Sequence, residues 1–219
     1  MTHFKIQIVS DTVCPWCYIG SKRLVKGIAA YQEAHPGSHD TFSTTWKPFY
    51  LNPESPKESV DKRALYAAKF GEARAKAAFE RLSALGKVEG INFKFGGKTG
   101  NTRDSHRLIQ LGKTKNADTQ NRVVHELFHA YFEKEQDITA HPVLLEAGVK
   151  AGLEAGEVQD WLNSERGGPD VDAEVRQAQR KHITGVPHFI IQDTHEIGGA
   201  QDPATFQQVF EKIRASSPA

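Results

Sequence analysis

The chain has 219 residues, with 28 Lys and Arg against 27 Asp and Glu and a formal net charge of +1. Phe, Leu, Ile and Val make up about 23% of it, above the ~20% below which a chain reads as disordered, so a real core can form. No long basic run marks a nucleic-acid surface, and no apolar stretch approaches the ~18 residues of a membrane span, so neither partner is expected. The first ten residues alternate like a strand and lack the apolar centre of an export signal, which sets the expectation of a cytoplasmic setting. The terminal Ala215-Ser216-Ser217-Pro218-Ala219 carries no endoplasmic-reticulum or peroxisomal address.

Phe4, Ile6 and Ile8 alternate with Lys5 and Gln7, and Val9 closes the run: a half-buried strand. After Ser10-Asp11-Thr12-Val13 come the two cysteines of the chain, in Cys14-Pro15-Trp16-Cys17. Ile19, Leu24, Ile28 and Tyr31 then recur at helical spacing as far as His35-Pro36-Gly37. Two cysteines exclude a four-cysteine zinc site and a multi-bridge scaffold. They leave two ordinary apolar residues, half of a mixed Cys/His metal site, or a redox-active dithiol. Proline is favoured at the first helical position, where its missing N–H forfeits no bond. Cys14 therefore falls at the N-cap, its sulfur near unpaired backbone N–H groups and the positive end of the helix dipole, which favour thiolate. Cys17 follows about one turn later, more buried and within bridging range, so one sulfur can attack and the other resolve. Trp16, between them, is a candidate substrate contact.

Phe42, Thr44 and Trp46 alternate as a second strand, giving strand–helix–strand with the dithiol opening the helix. In that context Cys-x-x-Cys points to thioredoxin-like redox chemistry. From residue 57 to 183 the composition turns helical. Leu65, Ala68, Ala75, Phe79 and Leu82 recur at helical intervals, with Gly71 and Gly86 as interruptions, and Ser105 to Leu111 forms a short helix. Val124, Leu127, Phe128 and Tyr131 form another stripe, and His141-Pro142, Glu154 and Pro169-Asp170 open further helices. Within this region His125-Glu126-Leu127-Phe128-His129 spells H-E-x-x-H, the zinc-hydrolase pattern of two imidazole ligands and a water-activating carboxylate. The two histidines lie roughly 120–160° from the centre of the apolar stripe, toward solvent, and no third ligand is marked. Two surface histidines and no metal are expected. A site combining them with Cys14 and Cys17 would consume the nucleophile.

Near the end, Gly185-Val186-Pro187 precedes the apolar Phe189-Ile190-Ile191, and Glu196-Ile197 can return as a further strand. Asp202-Pro203 opens a helix carrying Phe206, Val209, Phe210 and Ile213. Pro187 is either a plain strand-leading proline or a cis-proline facing the dithiol, with the Val186 backbone free to pair with an extended substrate. The cysteine pair favours the second.

Ser10-Asp11-Thr12-Val13-Cys14-Pro15-Trp16-Cys17-Tyr18-Ile19-Gly20 resembles the active-site segment of the DsbA-like oxidoreductases, in particular the FrnE-type dithiol–disulfide group. Asn101-Thr102-Arg103-Asp104-Ser105-His106-Arg107 resembles that group's Asn-Thr-x-x-Ala-His-Arg segment, with Ser105 in place of Ala. Thr184-Gly185-Val186-Pro187-His188-Phe189 and Gly198-Gly199-Ala200-Gln201 complete the likeness, in family order and over nearly the whole chain. The resemblance implies an α/β, thioredoxin-like fold with a large all-helical insertion: residues 1–56 and 184–219 form the thioredoxin-like part, 57–183 the inserted lid. It implies thiol–disulfide exchange with protein or small-molecule substrates, no cofactor, and glutathione as a candidate co-substrate. Cys14, Cys17 and Pro187 carry over as catalytic positions, and Trp16, Val186 and His106 stand as candidate substrate contacts. Related kappa-type transferases and chromene-carboxylate isomerases usually have Ser where this chain keeps Cys14, which favours redox turnover. A non-catalytic peptide-binding module beside Pro187 leaves the activated thiol unexplained.

Overall fold

The computed structural model describes residues 1–216; part of the segment read above for a terminal address, residues 217–219, lies outside the described residues. Strand β1 (His3–Ser10) leads into helix α1 (Pro15–Ala34) and strand β2 (Thr41–Pro48). The inserted region follows as β3 (Val60–Asp61), α2 (Lys62–Phe70), α3 (Glu72–Glu89), β4 (Lys98–Thr99), α4 (Arg103–Lys115), α5 (Ala117–Glu133), α6 (His141–Lys150), α7 (Ala155–Leu162) and α8 (Gly168–Arg180). The chain then closes with β5 (His188–Ile191), β6 (His195–Gly198) and α9 (Pro203–Ser216). Four strands form one sheet of order β2–β1–β5–β6, in which β1 pairs parallel with β2 and antiparallel with β5. This is the thioredoxin-like fold with its helical insertion, to which β3 and β4 add a two-residue ladder.

Phe4, Ile6 and Ile8 point to one face of β1 and are at most 1% exposed. There Phe4 stacks on Phe42 at 4.7 Å and meets Tyr31 of α1 and Phe210 of α9 edge-on at 5.3 and 5.2 Å. Such pairs add about 0.5–1.5 kcal/mol each beyond their buried area. Val9 and Ile190 point to the other face, where Ala178 and Ile183 cover them. Sheet and insertion are joined along the unpaired edge of β2: the Gln120 side chain accepts the Trp46 N–H at 3.0 Å and donates to the Trp46 carbonyl at 3.0 Å. One amide thus replaces the neighbouring strand that an edge residue lacks.

Of the two glycines read as interruptions, one departs from the expectation. Gly71 separates α2 from α3 at φ 82°, as its flexibility suggests, but Gly86 stays inside α3. The Phe93 ring occupies the space where a Cβ would stand on Gly86, so packing rather than chain freedom selects glycine there. The histidines of the H-E-x-x-H run also need correction. The stripe of Val124, Leu127, Phe128 and Tyr131 is fully buried as expected, yet His125 and His129 are half-buried instead of solvent-facing. Trp46 reaches across from β2 and packs edge-on against the His125 ring at 6.3 Å. Among the described residues no group of three or more His, Cys, Asp and Glu is arranged to hold a metal ion.

Burial, reinforced by the charge of Lys22, lowers the His125 pKa to about 4. Its imidazole thus stays neutral in the folded chain while the unfolded chain takes up a proton below about pH 6.5. Stability is therefore lost as pH falls from 6.5 toward 4. Urea titrations at pH 7 and pH 5 should show His125→Gln losing less stability than the native chain, by up to roughly 2 kcal/mol. Equal losses would contradict a buried neutral ring. On α1, a Cβ added to Gly20 would stand 3.0 Å from Pro187 Cγ and 3.1 Å from Phe189 Cζ. Gly20→Val should accordingly cost about 1–3 kcal/mol in the same assay by overpacking.

Candidate active site

The sequence places Pro15 in the first turn of α1 and Cys14 at its N-cap, where the backbone is extended at φ −90° and ψ 112°. The Cys14 N–H donates to the Asp11 carbonyl and the Cys17 N–H to the Cys14 carbonyl, both at 3.1 Å. This tight turn brings both sulfurs to the same end of the helix. Both cysteines are free thiols; Cys14 is 3% exposed and Cys17 is sealed at 0%. The Cys14 side chain makes no capping hydrogen bond to the helix amides. Its S–H donates across the fold to the Val186 carbonyl at 3.6 Å. A thiol hydrogen needs an acceptor, and here it finds the carbonyl.

The loop that supplies that carbonyl is held from two sides. The Val186–Pro187 bond is cis, Pro187 is buried, and Gly20 leaves room for its ring on α1. Behind it, the Gly199 N–H donates to the Pro187 carbonyl at 2.8 Å, with Gly199 at φ 78°. Glycine adopts that backbone without strain. The Val186 N–H has no hydrogen-bond partner among the described residues. Trp16 is half-buried beside the thiols, with the Arg81 guanidinium 5.8 Å from its ring centre.

His106 lies on the inner side of this assembly. It is 3% exposed, and its Nε2 faces Asp11 Oδ1 at 3.3 Å and the Phe49 carbonyl at 3.1 Å. The ring expected to contact substrate is turned toward the interior behind the active-site loop, because α4 packs its first turn there. The neighbouring Ser105 hydroxyl lies 2.8 Å from that of Thr12, while Arg107, 2% exposed, spans to the carbonyls of Trp161, Ser164 and Arg166. Sequence reasoning missed Asp11 as the centre of this network. Its position three residues before an N-cap cysteine was the available signal.

A groove of about 300 Å³ opens beside Val13, with Asp11, Tyr66 and Tyr131 among its walls and the apolar Leu51, Leu65 and Phe70 at its edge. Burial raises the pKa of Tyr66, and the charges of Cys14 and Asp11 push it the same way, which places this phenol in the field of the dithiol. A larger hollow of about 610 Å³ between α2 and α3 contains neither cysteine.

The model of the DSBA-like thioredoxin domain matches residues 5–211. The chain is 26% identical over 215 residues to the uncharacterized protein YwbO of Bacillus subtilis, with 94% of each chain covered. Its fold superposes on the probable DsbA oxidoreductase SCO1869 from Streptomyces coelicolor at a TM-score of 0.88 and 27% identity, covering 99% of this chain and 92% of that one. The cytosolic disulfide reductase DsbM from Pseudomonas aeruginosa, in a structure with GSH, shares the fold at a TM-score of 0.63 and 16% identity, covering 96% of this chain and 99% of that one. With a family match over nearly its full length and a free thiol pair at the opening of α1, the chain belongs to the DSBA-like thioredoxin domain family of thiol–disulfide oxidoreductases.

Proposed function

We propose that the chain exchanges thiols with disulfides through Cys14 as the attacking sulfur and Cys17 as the resolving one. One arrangement carries this reading: two free thiols a helical turn apart, the outer one directed at the carbonyl preceding Pro187. The Cys14 thiolate attacks one sulfur of a substrate disulfide, forming a mixed disulfide and expelling the other sulfur as a thiolate. An extended substrate strand pairs with the Val186 backbone, whose N–H has no partner among the described residues. Trp16 forms the adjoining wall.

Resolution follows from the electrostatics of the inner cysteine. Burial holds the Cys17 thiol well above its ordinary pKa, and the Cys14 hydrogen bond and charge add to the effect. Once Cys14 is tied up in a mixed disulfide, its thiolate charge is gone and that contribution to Cys17 disappears. Cys17 then loses its proton more readily, attacks Cys14 and releases the reduced product. The two electrons of the dithiol pass to the substrate, leaving a 14–17 disulfide that two glutathione thiols reduce in turn. The reverse sequence oxidises a substrate dithiol. A cytoplasmic setting, where thiols are kept reduced, suits the reducing direction. No helix among the described residues is long and apolar enough to cross a membrane.

In a glutathione-coupled disulfide reduction assay, Cys14→Ser should fall to background; undiminished turnover would refute the nucleophile. Cys17→Ala should accumulate adducts on Cys14 visible by intact and peptide mass spectrometry. A variant that turns over without such adducts would refute the resolving role.

A further inference from the structure

Asp11 is the buried residue on which the dithiol converges, and exchange as described above gives its side chain no part. It is 1% exposed. Its carbonyl takes the Cys14 N–H at 3.1 Å, and its own N–H, with the Ser10 hydroxyl, faces the Cys17 sulfur. Its Oδ2 accepts the Leu51 N–H at 2.8 Å, at the edge of the groove, and its Oδ1 faces His106 Nε2 at 3.3 Å. A carboxylate this deep is tolerated only when donors compensate it. Among the described residues His106 is the one basic side chain within 4 Å of its carboxylate oxygens.

The tautomer of that partner follows from its neighbours. Nε2 has two oxygens before it, from Asp11 and from the Phe49 carbonyl, so it carries the hydrogen and donates. His106 belongs to α4 of the insertion, 95 residues away in sequence, and the same turn binds Thr12 through Ser105. The insertion thus reaches the residues leading into Cys14 at two adjacent points.

We propose that His106 is a positioning residue acting through Asp11: its Nε2–H fixes and offsets the Asp11 carboxylate, and so sets how strongly the Cys14–Cys17 pair favours dithiol over disulfide. This rests on the exchange reading and extends it to the residues that tune the couple. The sign follows from Coulomb's law. An uncompensated carboxylate disfavours a nearby thiolate and hence the reduced state, which gains much of its stability from the thiolate. A donor on that carboxylate relieves the repulsion and keeps the reduced state accessible.

The full chain and the variants Asp11→Asn, His106→Leu and His106→Gln are equilibrated at pH 7.5 with mixtures of reduced and oxidised glutathione. Acid quenching, alkylation and intact mass then read the fraction bridged. Asp11→Asn removes the charge and keeps the shape, so the equilibrium should move about five- to tenfold toward dithiol. His106→Leu removes the Nε2–H and leaves the Leu51 N–H as the remaining donor to the carboxylate, so it should move the equilibrium about five- to tenfold toward disulfide. His106→Gln, whose amide N–H can reach the same oxygens, should remain within about twofold of the native chain. Opposed shifts for the two removals support the electrostatic role, since mere loosening of the loop would move both the same way. Shifts of one sign, or an unmoved Asp11→Asn, overturn it. If His106→Leu does not fold, the Asp11→Asn shift together with glutamine rescue decides the matter. A native chain that never bridges in these mixtures refutes the exchange reading itself; one that bridges while the variants fail these expectations refutes only the role of His106.

Discussion

The site depends on the meeting of the first turn of α1 with the Val186–Pro187 loop. Cys14 and Val186 stand 172 residues apart in sequence, yet the sulfur of one lies 3.6 Å from the carbonyl oxygen of the other. A thioredoxin-like sheet makes this possible because β1 pairs with both β2 and β5, so the end of β1 and the start of β5 fall at the same edge. Gly20 and Gly199 then fix the distance. The first lets Pro187 approach α1, and the second turns back to hold the Pro187 carbonyl. Each glycine thereby helps set what Cys14 faces.

Behind this contact the insertion acts as a wall. Its α4 brings Ser105 to Thr12 and His106 to Asp11, while Gln120 of α5 completes the hydrogen bonding of Trp46 on β2. Tyr18 of α1 stacks on Phe128 at 5.0 Å and donates to Glu133 at 2.8 Å. The short segment bearing the cysteines is consequently held by side chains from both parts of the fold. Such bracing limits the movement of the Cys14 sulfur and keeps Cys17 sealed from solvent.

Much of this was legible in the sequence wherever the signal is local. Cys14-Pro15-Trp16-Cys17 after an alternating strand gave the helix opening, and Phe206, Phe210 and Ile213 gave the core face of α9, because each pattern spans only a few turns. The orientation of the Cys14 thiol was not legible, since its acceptor arrives from the other end of the chain. His106 was noticed through the resemblance of its segment, but its inward direction depends on how α4 docks against Asp11 and Phe49. The half-burial of His125 likewise comes from Trp46 on another element, which no helical wheel of α5 contains. Gly86 fails as an interruption for the same reason: Phe93 occupies the space beside it.

The division of labour between an outer and an inner sulfur is tested most directly by competitive alkylation. Fully reduced native protein is treated at neutral pH with limiting iodoacetamide, and peptide mass spectrometry follows the label on each cysteine over time. Cys14 should be carboxamidomethylated at least about tenfold faster than Cys17, because thiolate character and access control the rate and Cys17 is sealed with its pKa raised. Equal rates, or faster labelling of Cys17, would contradict the account.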